Sequence, residues 1–165
     1  MCKVFKVSHY ENPMTLYAVR IIAVPDEKFL TKIKEEIAVM ELCKSENIIR
    51  HFFTYHFEHT LFMFIEYMDQ GSLNQFIKRY GKNIDERVIA YIIREILKGL
   101  RSIHRKRQLH RDLKSDNILI NRHGDIKIGD FGYALQLTKE KSSSKEIAGT
   151  PAWMAPELIK KEDYN

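Results

Sequence analysis

The chain has 165 residues and a mass of 19.6 kDa, a length suited to one hydrophobic core rather than two complete domains. Hydrophobic residues make up 44% and charged residues 30%, which excludes a disordered or collagen-like chain, and two cysteines, Cys2 and Cys43, exclude a disulfide framework. The 27 Lys and Arg against 22 Asp and Glu leave a net charge of +5, which favours acidic partners without naming one. The longest apolar runs, such as Leu61 to Ile65, fall far short of the ~18 to 20 residues of a membrane span, and the opening MCKVFKVSHY has no apolar signal region. An intracellular, cytoplasmic chain without a membrane span is expected. The basic run Arg105 Lys106 Arg107 reads as a solvated helix end rather than a nucleic-acid contact, because cations favour a helix C-terminus.

Lys3 to Val7 and Leu16 to Ile22 are rich in β-branched and aromatic residues around the turn-prone Glu11 Asn12 Pro13, which predicts a hairpin. After Pro25, the run Asp26 to Leu42 carries acids early and places Phe29, Ile33, Ile37, Met40 and Leu42 near helical spacing, predicting an amphipathic helix. Ile48 to Phe57 and Leu61 to Tyr67 predict two further strands joined at His59 Thr60, followed by Gly71 and a short helix capped by Ser72. His51, His56 and His59 lie on that strand and its turn, and their spacing predicts ordinary strand histidines rather than a closed metal site. From Asp85 to about Arg105, the residues Val88, Ile92, Ile93, Ile96, Leu97, Leu100 and Ile103 predict a long helix with a broad buried stripe. Ile118 to Ile120 and Ile126 to Ile128 flank a turn and predict a small hairpin, and the polar tract Thr138 to Glu146 predicts a mobile loop.

Two polar motifs frame that small hairpin. His110 Arg111 Asp112 Leu113 Lys114 Ser115 Asp116 Asn117 precedes its first strand, and Asp130 Phe131 Gly132 follows its second. Polar residues on loops held by strands suggest a site, and the hairpin lets Asp112 and Asp130 converge on one cleft. Carboxylates with an amide oxygen from Asn117 are hard ligands suited to magnesium shared with phosphates. Such parts fit phosphoryl transfer, and similar ones would serve hydrolysis by a metal-bound water.

HRDLKSDN, DFG and the later Ala155 Pro156 Glu157, with FIEYMDQGSL before them, stand in the order found in protein kinases. The chain therefore resembles a eukaryotic protein kinase from end to end, and Lys114 together with GTPAWMAPE makes it similar to serine/threonine kinases of the PAK-like branch. The resemblance implies an α+β, two-lobed kinase fold over residues 1–165, with residues 1–68 as the N-lobe portion and 69–165 as the C-lobe portion. It implies transfer of the γ-phosphoryl group of ATP, with Mg2+, to a protein substrate bearing a Ser or Thr hydroxyl. Asp112 would accept or orient that hydroxyl beside Lys114, and Asn117 and Asp130 would hold the metal. On the cofactor side, Val4 would be the valine that closes the glycine-rich loop, Ala18 and Leu119 would form the roof and floor of the adenine site, Glu66 and Met68 would offer adenine backbone groups behind gatekeeper Ile65, and Glu36 would orient the residue that contacts the phosphates.

That last residue departs from the family. YAVRI, Tyr17 to Ile21, stands where kinases usually have VAIK, so Arg20 replaces a compact ammonium with a planar guanidinium. In the same frame Cys2 falls at the last glycine of the glycine-rich loop, and the pattern's later C-lobe helices would follow Asn165. On this reading the chain lacks both, as a gene fragment, split gene or misplaced start and stop would. Two functions stay open: a serine/threonine kinase, and a catalytically weak or inactive kinase-like binding module, with a partner covering the apolar surface of the C-lobe portion. In the loop after Asp130, Arg111 is the candidate phosphate-binding group, and Glu146 falls where the family pattern places an activating phosphothreonine.

Overall fold

The computed structural model describes residues 3–140 and 142–165; Cys2, expected at the glycine-rich loop, lies outside the described residues. Strands β1 (Lys3–Ser8) and β2 (Leu16–Ala23) form the expected hairpin, closed by His9 N–H donating to Thr15 O at 2.9 Å. With β3 (His51–Phe57) and β4 (Thr60–Glu66) they make an antiparallel sheet in the order β1-β2-β4-β3. Its register puts Val4, Arg20 and Met63 side by side, then Lys6, Ala18 and Ile65, so every second residue faces the same way. Ala18, Ile22, Leu61, Met63 and Ile65 on that face are buried in the core. The opposite face carries Tyr17, Phe53, Phe62 and Phe64, with Phe53 and Phe64 stacked at 4.3 Å between ring centres.

Helix α1 (Glu27–Leu42) begins where Asp26 accepts a hydrogen bond from Phe29 N–H at 2.7 Å. It buries Ile33, Glu36, Val39 and Met40. Leu42, expected on the inward stripe, is 54% exposed instead, because the buried stripe runs through Glu36, Val39, Met40 and Cys43 and leaves Leu42 off that face. The chain then enters the core as Ile48 and Ile49 before β3 starts at His51, later than expected, since Ile48 bridges in parallel to Ile128 rather than joining the large sheet.

Beyond β4, the two-residue strand β5 (Gly71–Ser72) leads into α2 (Leu73–Tyr80), where Ser72 and Gln75 form a reciprocal capping box. Helix α3 (Glu86–Arg105) is capped by Asp85 and buries Ile92, Ile96 and Ile103. Its stripe is narrower than predicted: Val88, Ile93 and Leu97 are 40%, 51% and 58% exposed, Ile93 and Leu97 lying off the face that carries Ile92, Ile96 and Ile103, and Val88 standing in the first turn, before the buried run begins at Ile92. Strands β6 (Gln108–Leu109), β7 (Ile118–Ile120), β8 (Ile126–Ile128) and β9 (Leu135–Gln136) complete two small sheets, β5-β7-β8 and β6-β9. A short helix, α4 (Pro156–Ile159), follows. Described residues of the polar tract 138–146 carry no helix, and Ser144 bridges to Tyr164. No helix of the described residues is long and apolar enough to cross a membrane.

The small sheet is pinned to α3 by a buried polar group. Asn47 donates to Glu95 Oε2 at 2.9 Å and to Ile126 O at 3.1 Å, while Ile128 N–H donates to Asn47 O. The close approach requires Gly99, where a Cβ would sit 2.9 Å from Asn47 O and 2.8 Å from Ile128 Cδ1. Hydrogen bonds from Lys98, Asn47 and Arg94 outweigh burial and hold the Glu95 carboxyl at about 2, against an ordinary 4.5. A depressed carboxylate stabilises the fold above its unfolded value and loses that contribution as pH falls toward the folded one. Thermal melts should therefore show stability falling between about pH 4.5 and about pH 2, and Glu95→Gln should flatten that fall.

Candidate active site

The hairpin β7-β8 delivers the two polar motifs to one place. Gly129 N–H donates to Asn117 O at 2.8 Å, so the loop entering β7 and the loop leaving β8 are bonded directly. Asp130 follows with φ +58, left-handed backbone that few non-glycine residues adopt, and Phe131 beside it is 1% exposed. His110 completes the connection. Its Nε2 lies 3.0 Å from Gly129 O and its Nδ1 3.3 Å from Asp112 N. A carbonyl needs a donor and an N–H needs an acceptor, so the ring is neutral with its proton on Nε2. Burial lowers its pKa and keeps it neutral, outweighing the attraction of Asp130 and Asp112.

Asp112 is 3% exposed, and its carboxylate is satisfied from three directions. Thr150 Oγ1 donates to Oδ1 at 2.6 Å; Lys114 Nζ at 2.8 Å and Asn117 Nδ2 at 3.1 Å donate to Oδ2. Lys114 also donates to Thr150 Oγ1 at 2.7 Å, closing a ring of acid, ammonium and hydroxyl. Burial pushes the Asp112 carboxyl up, but the bonds from Lys114, Thr150 and Asn117 prevail and hold it below the usual carboxylate range. The same bond to Asp112 raises Lys114 against partial desolvation.

Next to this ring opens a cavity of about 560 Å³ lined by Val4, Ala18, Arg20, Glu66 and Met68 from the large sheet and the segment after it, and by Asn117, Leu119 and Asp130 from the small sheet and its loops. The residues expected on the cofactor side thus meet, and Ile65 lines the same space. Glu36 does not line it. Buried at 2% exposure, it pairs with the Arg20 guanidinium, whose Nη1 also lies 3.9 Å from Met63 Sδ. Asp112 and Lys114 sit just behind the cavity, joined to it by Asn117, which also donates to Asp112 O at 2.8 Å. The Asn117 amide nitrogen is committed to Asp112, so its oxygen is the atom open to a cation. With Asp130 it makes a hard-oxygen pair of the kind magnesium takes when phosphates supply further ligands. Among the described residues, no three His, Cys, Asp or Glu side chains gather as a closed metal site.

Sequence reasoning missed the place of Thr150, quoted only within GTPAWMAPE, because its partner Asp112 lies 38 residues away. Gly149 enables the contact: its φ is +109, and a Cβ there would lie 2.2 Å from Arg111 O. The local sign was the glycine itself, standing before a hydroxyl residue in a polar loop.

The sequence as a whole matches the model of the protein kinase domain, over residues 1–165. The chain belongs to the protein kinase family. Its α+β fold is accordingly the two-lobed kinase type. It is 37% identical over 163 residues to serine/threonine-protein kinase dst1 of Dictyostelium discoideum, covering 99% of this chain and 22% of that protein. It is 44% identical over 131 residues to serine/threonine-protein kinase pakB of the same organism, covering 79% of this chain and 15% of that protein. The kinase domain described here thus spans about a fifth or less of the length of these relatives. Protein kinases in general use ATP and Mg2+, to which the cavity and its oxygen donors are suited.

In this kinase domain the Thr150 hydroxyl is one of the groups that hold the Asp112 charge. Thr150→Ala should raise the Asp112 titration toward the ordinary carboxylate range, and Thr150→Ser should restore it, as followed by carboxyl-carbon NMR.

Proposed function

We propose that the domain transfers the γ-phosphoryl group of ATP to serine or threonine hydroxyls of a protein substrate, with residues 1–68 as its N-lobe portion and 69–165 as its C-lobe portion. The observation that carries this is the ring of Asp112, Lys114 and Thr150 beside a cavity lined by Asn117 and Asp130. Asp112 Oδ1 holds one bond, to Thr150, and a carboxylate oxygen accepts two, so Oδ1 can also accept the substrate hydroxyl and its proton. Lys114 Nζ keeps a positive charge at the point where the transferred group meets that hydroxyl. Asn117 and Asp130 would hold Mg2+, which neutralises phosphate charge when bound. Val4, Ala18 and Leu119 supply apolar walls for the adenine, with backbone groups of Glu66 and Met68 at its edge. An intracellular, cytoplasmic setting, no role for nucleic acid, and a partner lying over the exposed Ile93 and Leu97 side of α3 belong to the same reading.

A second reading is favoured by Arg20. Its guanidinium is bonded to Glu36 where the family uses an ammonium, and a planar fork directs its donors differently toward phosphates. The domain would then be a nucleotide-binding module with weak turnover or none. Phosphorylation of serine and threonine peptides separates the two. Asp112→Asn should lower transfer by roughly 10²- to 10⁴-fold, the usual contribution of a proton-accepting group. Signal at the Asp112→Asn level in both the natural sequence and Arg20→Lys would overturn the kinase reading. A melting temperature still raised by Mg-ATP would then support the module. Higher turnover in Arg20→Lys would place the weakness at residue 20.

A further inference from the structure

Arg111 stands directly before Asp112 with φ +64, and its side chain is only 9% exposed. Three of its five N–H donors are committed within the fold. Nε donates to Tyr133 O at 2.6 Å, and Nη1 donates to Glu146 Oε2 at 2.9 Å and to Tyr164 Oη at 3.2 Å. The Tyr164 hydroxyl in turn donates to Glu146 O at 2.6 Å. Ser144 and Tyr164 also exchange backbone bonds at 2.9 and 3.0 Å. Four stretches of chain therefore meet on one guanidinium: the loop bearing Asp112, the segment after Asp130 that includes Tyr133, the polar tract 138–146 and the segment around residue 164.

We propose that Glu146 and Tyr164 form a standing clamp on Arg111, which fixes the 138–146 tract against the loop of Asp112 without any phosphorylation of that tract. Rested on the kinase reading above, this makes Glu146 and Tyr164 positioning residues for Asp112, acting through Arg111. The charge that a buried arginine requires comes from a carboxylate encoded in the chain, so the contact is present from the moment of folding. Two of the neighbouring hydroxyls, those of Ser143 and Ser144, are bonded within the same structure, whereas Thr138 and Ser142 are exposed. Ser144 is 5% exposed, and its Oγ accepts from Glu146 N–H at 3.2 Å. Ser143 Oγ donates to Asp163 Oδ1 at 3.2 Å, so a phosphate there would meet a like charge. Tyr164 contributes what the carboxylate alone lacks: it grips both the arginine and the backbone of the residue that neutralises it.

Limited trypsin digestion reads the clamp directly, because Lys139 and Lys145 lie exposed in the tract. The expressed protein is digested before and after treatment with a broad-specificity protein phosphatase, and cleavage sites are assigned by mass. Cleavage in the tract should be slow and unchanged by the phosphatase. Glu146→Gln, which keeps the side-chain shape, and Tyr164→Phe, which keeps the ring, should each speed it by about fivefold, as expected for loss of one ion pair or hydrogen bond from a locally opening segment. Because both act on Arg111, the double variant should be less than additive. Acceleration by phosphatase alone, or variants cleaved as slowly as the natural sequence, would overturn the clamp. Asp112→Asn separates this from the kinase reading: it should lower transfer by roughly 10²- to 10⁴-fold while leaving the tract protected. A protein with a protected tract and no transfer would retain the clamp and lose the kinase reading.

Discussion

A carboxylate that is almost wholly removed from water must find its hydrogen bonds inside the protein, and in this domain that requirement falls on Asp112. The partners that answer it come from near and far along the chain. Lys114 and Asn117 come from the same loop, and Thr150 from four residues beyond the polar tract. Satisfying one buried charge thereby ties that loop to a residue 38 positions away. Asn117 extends the constraint, because its backbone oxygen holds Gly129 and so brings Asp130 to the cavity wall. His110 closes the circuit from the other side, joining the backbone of Asp112 to the carbonyl of Gly129 with a single neutral ring.

The large sheet joins this arrangement through ion pairs and a strand-like bridge, Lys127 on β8 pairing with Glu66 on β4 at 2.8 Å. Arg20 reaches from β2 to Glu36 on α1, where removing one partner would leave an unpaired charge in the interior, a costly loss. The stretch from Asn47 to Ile49 then lies along β8: Ile128 N–H bonds Asn47 O and Ile49 N–H bonds Ile128 O, both at 2.9 Å. Apolar packing of Ile48, Ile96, Ile103 and Ile128 surrounds these bonds, so the polar connections run through dry core, where they are hard to exchange for water.

Much of the fold was legible because its signals are local. Asp26, Ser72 and Asp85 announce helix starts through bonds that reach no further than three residues, and the hairpins follow from alternation around turn residues. The candidate site was legible for a related reason: Asp112, Lys114 and Asn117 lie within six positions, and Asp130 is returned to them by a short hairpin. Thr150 was not, since its role depends on a contact across 38 residues that no periodicity records. Periodicity also marks which side of a helix is apolar without saying what lies over it. Hence Val88, Ile93 and Leu97 were expected inside and are found outside, and Ile48, read as the start of a strand in the large sheet, instead serves the small one.

The bonding of residues 47–49 to β8 has a mechanical consequence. Beyond the C-terminal end of α1, Cys43 bonds Gln108 and residues 47–49 bond β8, whereas its N-terminal turns rest on the core through the side chains of Phe29, Leu30 and Ile33. Such a helix behaves as a lever with its fulcrum near Cys43. At 1.5 Å per residue Glu36 rides about 10 Å from that pivot, so a tilt of a few degrees displaces its carboxylate by roughly half an ångström, while residues at the far end sweep more than twice as far. Because residues 47–49, just beyond the fulcrum, are bonded to β8, any such tilt moves Glu36 relative to Asp130. The separation between Arg20 and Asp130 across the cavity is therefore the distance that rotation of this helix adjusts.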